Sequence, residues 1–255
     1  MGVCQEAEDE NNKLLVWKEF GRKFLPFLIV FMATPVTLYA HWVSQPSRAV
    51  GWFCLLNKIE FNFEFIDFFA GAHKTEEFQN LSPNGLIPVL KDDSIDLVIA
   101  ESHAILQYLA EKANADSWFP SDPKTKAKVL QYLHWHHLNT RKLTTVLFKP
   151  VVLGALGLGP SVDAEQATKD VSPALERINN WLSNDTFLCG TATPTIADLS
   201  CYCEIDQLKL FNLGKLDSYP NIITWIAKME QLPSHEEAHK GLQEFFASSK
   251  DKFQF

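Results

Sequence analysis

The chain has 255 residues, of which 46% are hydrophobic and 21% are charged, with only 11 Gly and 13 Pro. This composition excludes a disordered, collagen-like or low-complexity protein, and the length allows one large domain or two small ones. The formal net charge of −8 argues against nucleic acid or an anionic membrane as the main partner, because both favour a basic surface.

The first thirty-one residues differ in composition from the rest of the chain. An acidic start (residues 6–10) leads to a basic patch and then to an apolar run (residues 24–33) that Pro26 interrupts. The run is too short to span a bilayer, and a secretory signal would follow a basic start. We therefore expect residues 1–31 to be an appended, poorly ordered extension.

A strand, a helix and a second strand are predicted next. Residues 36–42 are rich in β-branched and aromatic side chains, which indicates a strand. The turn at 44–47 opens a helix, because Pro46 occupies an early helical position and apolar residues follow at helical spacing up to Asn57. Residues 61–66 predict the second strand and complete a βαβ unit.

The rest of this domain is predicted to be a hairpin followed by a helix. A turn at 82–85 precedes two short apolar runs, 86–90 and 95–99, that are typical of antiparallel strands. Glu101 then opens a helix that runs to Lys112. The order βαβ, linking segment, ββα indicates a mixed-sheet domain over residues 32–113.

The second half of the chain is predicted to be helical. Two prolines mark a linker at 114–124, and a helical domain follows over 125–255. Its helical segments are separated by Gly, Pro and Asn clusters. They are 126–147, 163–182, 195–208 and 219–231.

The turn before the first helix is a candidate site. In thioredoxin-like folds a Cys-x-x-Cys pair occupies this place, where the helix N-terminus favours a thiolate. Here Ser44 and Ser47 stand in its place, so the chain cannot exchange dithiols there but can stabilise the thiolate of a bound ligand. The simpler alternative is that Ser44 only caps the helix.

Two further features lie downstream in the same domain. Pro88 follows Ile87 between a turn and a buried hairpin, and a cis bond there would place the backbone of Ile87 beside a ligand. Glu101 and Ser102 start a helix, whose N–H groups and dipole can bind an anion; an ordinary N-cap is the alternative. The three features in this order are more specific than any one alone.

Six segments carry a resemblance to a known family. They are SQPSRAV (44–50), GLIPVL (85–90), ESHAILQYL (101–109), WFPSD (118–122), WHHLNTR (135–141) and TPTIADLS (193–200). Together they resemble a theta-class glutathione S-transferase, and the plant members in particular. The resemblance implies a thioredoxin-like N-terminal domain (βαβ-α-ββα) that holds glutathione, and a helical-bundle C-terminal domain that covers an electrophile.

The resemblance also implies roles for the residues that match the family's motifs. The Ser44 hydroxyl would donate a hydrogen bond to the glutathione sulfur and stabilise its thiolate, with Gln45 making a second contact. Glu101 would take the ammonium of the γ-glutamyl group and Ser102 its carboxylate.

The resemblance implies further glutathione contacts at residues 73–74 and 86–88. His73 and Lys74 would hold the glycine end, and the pair Leu86 and Ile87, before the cis-proline Pro88, would hold the cysteinyl portion. Theta enzymes commonly carry a polar or basic residue where this chain has Leu86, so we expect weaker glutathione binding unless Lys74 compensates.

The activity implied is conjugation of glutathione to hydrophobic electrophiles, with glutathione-dependent reduction of organic hydroperoxides. Glutathione is the co-substrate, no metal or other cofactor is implied, and a homodimer is expected. The alternative is a non-catalytic glutathione-binding or protein-interaction module on the same fold. Five cysteines at scattered spacing argue against a disulfide framework. We therefore expect a cytoplasmic protein with neither a nucleic-acid nor a membrane partner.

Apolar residues near the expected cleft are candidates for the electrophile pocket, although core packing is the alternative for each. They are Trp42, Phe148, Val152 and Phe246. Thr195 and Asp198 form a capping box that we interpret as a folding element. His134 and His137 share a helix face but lack the spacing of a helical zinc motif, so packing is the favoured interpretation.

Overall fold

A four-stranded mixed sheet in the order β2-β1-β3-β4 forms the base of the N-terminal part. β1 (Val36–Ala40) pairs in parallel with β2 (Phe61–Phe65). β3 (Val89–Asp92) pairs antiparallel with both β1 and β4 (Leu97–Ala100). Alternate residues of β1 are fully buried, as expected for a central strand of a pleated sheet.

This structure, a computed structural model, describes residues 35–253, which belong to one compact unit. The predicted N-terminal extension, residues 1–31, lies outside the described residues. Among the helices described, none is long and apolar enough to cross a membrane.

Three helices accompany the sheet. They are α1 (Gln45–Leu56), α2 (Glu76–Leu81) and α3 (Ser102–Lys112). α1 is buried along most of its length because it packs between α3 and the helical part of the protein. α2 is the helix that the family resemblance implies between the second and third strands, whereas the residue pattern indicated only a linking segment there, because six residues are too few to show a helical period. It begins where the Thr75 hydroxyl accepts a hydrogen bond from the N–H of Phe78 at 3.3 Å.

The second half is helical, as predicted. Its helices are α4 (Pro123–Leu138), α5 (Lys149–Ala155), α6 (Ala164–Trp181), α7 (Ile196–Leu210), α8 (Pro220–Met229) and α9 (His235–Ser249). α5 and α9 lie outside the four predicted helical segments.

The predicted single helix over 126–147 is wrong, because the chain breaks at Asn139, whose φ and ψ are −128° and −76°. A π-helical segment, Leu143–Phe148, then leads into α5. Such wide turns occur frequently at functional sites. Here the segment places Thr144 and Phe148 on the wall of a cleft.

α7 is the central helix of the molecule. It packs against α1, α3, α4, α8 and α9, and every residue from Ile196 to Leu208 is buried. Five of the buried residues are polar, and three of them, Glu204, Asp206 and Gln207, lie in its second half and must find partners within the protein. Those partners lie beside the candidate site.

Candidate active site

Two adjoining compartments, of about 240 and 220 Å³, lie between the sheet and the helical part and share Leu86, Ile87 and Arg141 in their walls. The first compartment has a polar lining that includes Glu101, Ser102, His103, His136, Ser200 and Glu204. The second compartment is lined by residues that include Ser44, Phe69, His73, Phe148, Lys149 and Phe245.

Ser44 is the residue directly before α1 and lines the second compartment. Its N–H donates to the carbonyl of His41, and its carbonyl accepts from the N–H of Arg48, both at 2.9 Å. Its side chain does not cap α1 and has no hydrogen-bond partner among the residues that the structure describes. The alternative of a mere capping serine is therefore not supported, and the hydroxyl is available to a ligand.

Arg48 fixes the turn that carries Ser44. Its side chain is fully buried and donates to the carbonyl of Val43 at 2.7 Å and to that of Trp42 at 3.3 Å. The same guanidinium forms a 2.8 Å ion pair with Asp206 of α7. Burial would lower the pKa of Arg48, but Asp206 outweighs that effect and keeps the pKa above its usual value. The turn is thereby tied to the central helix.

Gln45 lines the second compartment, but its side chain is already engaged with the helical part. The amide donates to the side-chain oxygen of Gln207, and its own oxygen accepts from Arg141 at 3.3 Å. The predicted contact between Gln45 and glutathione stays a prediction. The structure shows this side chain as a link between α1 and α7.

A buried network around Glu204 continues from this link. Its carboxylate accepts from Arg141 at 2.6 Å and from the hydroxyl of Thr144, and lies 3.7 Å from His136. Burial alone would raise the pKa of Glu204, but Arg141, His136 and Thr144 together hold it below its usual value. Sequence reasoning missed this group, because the helix also carries Asp206 and Gln207 and nothing in the sequence sets Glu204 apart from them.

The loop before β3 has the predicted backbone geometry. The Ile87–Pro88 peptide bond is cis, and Ile87 lines both compartments. The Ser82 hydroxyl accepts from the N–H of Leu86 at 3.2 Å and donates to its carbonyl at 2.9 Å, which fixes the loop. The Leu86 side chain itself is 60% exposed, so it contributes an apolar surface to the cleft.

Glu101 and Ser102 lie together in the first compartment at the start of α3. Glu101 has φ of 68° and ψ of 106°, in a region that non-glycine residues rarely adopt. Strained residues of this kind cost about 1–3 kcal/mol and cluster at ligand sites. The two residues were predicted from the sequence, but nothing in the sequence indicated the strain.

Three histidines form the inner wall of the first compartment. The ring of His103 lies 4.7 Å from that of His136 and 4.8 Å from that of His137. Burial, with the other two rings, lowers the pKa of His103 to about 2, so the ring is neutral. Its Nδ1 and the hydroxyl of Ser200 are buried without a partner in the described part of the chain. Neither residue was among the candidates predicted from the sequence.

The second compartment has an aromatic wall. Phe69 stacks on Phe245 with ring centroids 5.6 Å apart, and Phe68 lies 4.3 Å from Phe69. Phe148 and Val152, both predicted, complete the apolar lining.

The other two predicted electrophile contacts are corrected by the structure, because neither Trp42 nor Phe246 lines the two compartments. Trp42 stacks on Phe63 at 4.9 Å, and Phe246 packs on Phe211 at 4.8 Å. Phe245, the neighbour of Phe246, lines the cavity instead. Sequence cannot tell which of two adjacent aromatic residues faces a cavity.

The polar end of the second compartment holds His73. Burial lowers the pKa of this ring, and the positive charges of Lys74 and Lys149 lower it further. Lys74 is exposed and lines neither compartment, whereas Lys149 lines the second one.

The Thr195 and Asp198 pair is a capping box at the start of α7. Asp198 is fully buried and accepts from the N–H of Thr195 at 2.9 Å. It also accepts from the N–H of Leu188 and from the indole of Trp225, both at 3.0 Å. The pair lies away from both compartments, in agreement with a folding role.

Comparison with known proteins shows the family of this chain. Family models described as the glutathione S-transferase N-terminal and C-terminal domains match residues 34–111 and 147–233. Glutathione S-transferase T1 of Arabidopsis thaliana is 36% identical over 217 residues, which cover 80% of this chain and 87% of the relative. Theta-2 of Rattus norvegicus is 34% identical over 223 residues, covering 84% and 90%.

The chain belongs to the theta-class glutathione S-transferases. Its relatives support glutathione conjugation, with glutathione as the co-substrate. The match covers most of the length of T1, but only 36% and 38% of two other Arabidopsis relatives, T3 and T2.

Solved structures of theta-class glutathione S-transferases share this fold. A human theta-class enzyme in complex with the glutathione conjugate of 1-menaphthyl sulfate has a TM-score of 0.77 at 30% identity, covering 86% of this chain and 91% of that one. Human theta-2 with glutathione and an unknown ligand has a TM-score of 0.74 at 30% identity, covering 85% and 91%.

Proposed function

We propose that this theta-class chain conjugates glutathione to hydrophobic electrophiles and also reduces organic hydroperoxides, with the Ser44 hydroxyl stabilising the glutathione thiolate. The observation that carries the proposal is the position of Ser44. Its unengaged hydroxyl precedes α1 and faces the same compartment as the aromatic wall of Phe69, Phe148 and Phe245. A thiolate held there lies directly beside a binding surface for an apolar electrophile.

Glutathione fits the cleft in one direction under this proposal. The γ-glutamyl group lies in the first compartment, where Glu101 takes its ammonium and Ser102 and the N-terminus of α3 take its carboxylate. The backbone of Ile87, shared by both compartments, binds the cysteinyl portion. The sulfur then reaches Ser44, and the glycine end reaches His73.

The helix N-terminus and the Ser44 hydrogen bond are together strong enough to keep the glutathione sulfur ionised. A free thiol has a pKa of about 8.5, and lowering it by two units takes about 2.7 kcal/mol. A helix N-terminus gives up to about 2 kcal/mol in a partly buried site, and a hydrogen bond to a charged sulfur gives about 1.5–3 kcal/mol. The serine keeps its proton and donates it in a hydrogen bond, so no general base is needed.

Two reactions follow from a stabilised thiolate. In conjugation the sulfur forms a bond to the electrophilic carbon, and the leaving group departs with the electron pair. With a hydroperoxide the thiolate attacks the terminal oxygen and the O–O bond breaks, releasing an alcohol after proton uptake. A second glutathione then reduces the resulting sulfenic acid, giving glutathione disulfide and water.

The test of the function is the variant Ser44→Ala. We expect it to bind glutathione nearly as well as the wild type but to lose about one to two decades of kcat/KM, because the hydrogen bond to the thiolate is lost. The assays are affinity for glutathione, conjugation of a halogenated aromatic compound, and turnover of cumene hydroperoxide.

The matched control is Ser47→Ala, three residues further along the chain. It removes a buried hydroxyl that has no hydrogen-bond partner among the described residues. It should retain full activity. A fully active Ser44→Ala variant would remove Ser44 from the mechanism. Retention of glutathione by the wild type without turnover of any electrophile would favour a non-catalytic glutathione-binding module instead.

We also propose a homodimer in the cytoplasm. The family supports the dimer. The cytoplasmic location is supported by four buried free thiols, which are typical of a reducing environment: Cys54, Cys189, Cys201 and Cys203. Sedimentation equilibrium of the purified protein and localisation of a tagged full chain test the two statements separately.

A further inference from the structure

Lys149 brings a positive charge into the cleft that no other part of the described chain uses. Its side chain lines the second compartment together with Ser44 and His73. It forms no ion pair or hydrogen bond with any residue that the structure describes. Arg141, which also lines the cleft, is committed to Glu204 at 2.6 Å and to Gln45 at 3.3 Å.

The charge of Lys149 acts on the polar end of the second compartment. It is one of the two cations, with Lys74, that lower the pKa of His73 beyond the effect of burial. Lys74 is exposed and lies outside the lining of both compartments, whereas Lys149 reaches the cavity from the opposite wall. A ligand group inside this compartment beside His73 therefore lies next to Lys149.

Glutathione needs a cation at this end. The tripeptide has a carboxylate at each end, and with an ionised sulfur it carries a net charge of about −2 at neutral pH. The first compartment accounts for the γ-glutamyl carboxylate, and the glycyl carboxylate lies toward His73. Leu86 borders both compartments and offers no charge. The protein itself has a net charge of −8, so its overall field does not attract the ligand.

We infer that Lys149 binds the glycyl carboxylate of glutathione, reaching across the cleft from α5 to supply the charge that Leu86 lacks. This inference rests on the proposed binding of glutathione in this cleft. It makes Lys149, a residue of the helical part, a contact for the tripeptide rather than for the electrophile.

The experiment compares glutathione with its glycyl monoethyl ester, which removes only the carboxylate in question. Dissociation constants are measured by calorimetry for the wild type and for Lys149→Gln. We expect the wild type to bind the ester about fivefold more weakly than glutathione, as for a half-exposed charge pair. In Lys149→Gln the two ligands should bind almost equally, because only glutathione loses affinity.

Lys142→Gln is the matched control, because it removes an exposed charge that lies earlier in the chain and lines neither compartment. It should keep the wild-type preference for glutathione over the ester. Lys74→Gln tests the contact that the family resemblance implies, and loss of the preference in Lys74→Gln but not in Lys149→Gln would assign the glycyl carboxylate to Lys74 and overturn the inference. A rescue variant adds Leu86→Lys to Lys149→Gln and should restore that preference from the opposite wall of the cleft.

The outcomes separate this inference from the proposed function. If Lys149→Gln keeps the wild-type preference, Lys149 does not bind the glycyl carboxylate, even if the KM for an electrophile or the pKa of the bound thiol changes. Conjugation by the wild type would still stand in that case. If the wild type binds neither ligand, the proposed function and this inference both fail.

Discussion

Among single residues, the buried polar groups decide more about this site than the exposed ones. The buried guanidinium of Arg48 holds two carbonyls of the turn before Ser44, and that turn positions the hydroxyl that we propose stabilises the glutathione thiolate. Asp198 shows the same principle away from the site, because one carboxylate satisfies donors from three segments of chain. A buried carboxylate with several donors cannot be replaced by a group that both donates and accepts.

Asp198→Asn tests this reasoning. Each oxygen of Asp198 accepts from two donors, so an amide nitrogen at either position would face at least one N–H group. We expect the free energy of unfolding in urea to fall by about 3 kcal/mol. The specific activity of the folded fraction should be unchanged. The control Asp122→Asn, at the exposed start of α4, should cost less than about 1 kcal/mol.

At the scale of helices and strands, the position of Trp42 depends on two helices, α1 and α9, that approach its side chain closely at glycines. The indole stacks on Phe63 of β2 and lies against Gly51 of α1 and Gly241 of α9. A Cβ at Gly241 would lie 2.6 Å from the Cβ of Trp42, and one at Gly51 would lie 2.5 Å from its ring. The glycines therefore explain why an expected pocket residue is packed between helices instead of facing the cleft.

Gly51→Ala should be destabilising although alanine is the better helix former. The gain of up to about 1 kcal/mol in helix propensity is outweighed by an overpacking cost of about 1–3 kcal/mol, because the added Cβ meets the indole ring of Trp42. The measurement is urea unfolding of Gly51→Ala, Trp42→Leu and the double variant. Leucine lacks the ring atoms that the new Cβ would meet, so we expect the double variant to be less destabilised than the sum of the single changes, by at least about 1 kcal/mol. Additive effects would show that Trp42 and Gly51 are independent.

In the molecule as a whole, the cleft depends on a polar network that joins its two walls. Gln45 at the start of α1 is linked through Arg141 and Gln207 to Thr144 and Glu204. All of these residues except Gln207 line one or both of the two compartments. Loss of one member leaves the others buried and unpaired, which is costly.

Glu204→Gln is expected to destabilise the protein by about 3 kcal/mol at pH 7, because Arg141 loses its buried partner. The folded-state pKa of Glu204 is depressed, so its stabilising contribution is present above the unfolded-state value and is lost as pH falls through the folded-state pKa. The wild type should therefore lose more stability than the variant between pH 5 and about pH 3. Parallel loss of stability in the two proteins would exclude Glu204 as a source of the acid sensitivity. Unfolding followed by tryptophan fluorescence provides the measurement.

The pattern of local signals predicted much of the fold. The alternation of strands and helices up to Lys112, the helical second half and the cis bond before Pro88 all follow from turn residues and periodicity. The break at Asn139 was not predicted, because residues 126–147 keep a helical period throughout. The π-helical segment after it depends on contacts with residues distant in sequence, such as the hydrogen bond between Thr144 and Glu204.

Short stretches of sequence were enough to predict the family, the order of most elements and the position of Ser44 at the first helix start, because each depends on residues close together in the chain. Three-dimensional packing was needed to show that Ser44 does not cap its helix, that Gln45 pairs across the cleft, and that Lys149 lines the same compartment as His73. Those facts depend on which side chains meet after α7 packs against α1 and α3 and α5 lines the cleft. Contacts between residues far apart in the chain leave no periodic trace in a single sequence.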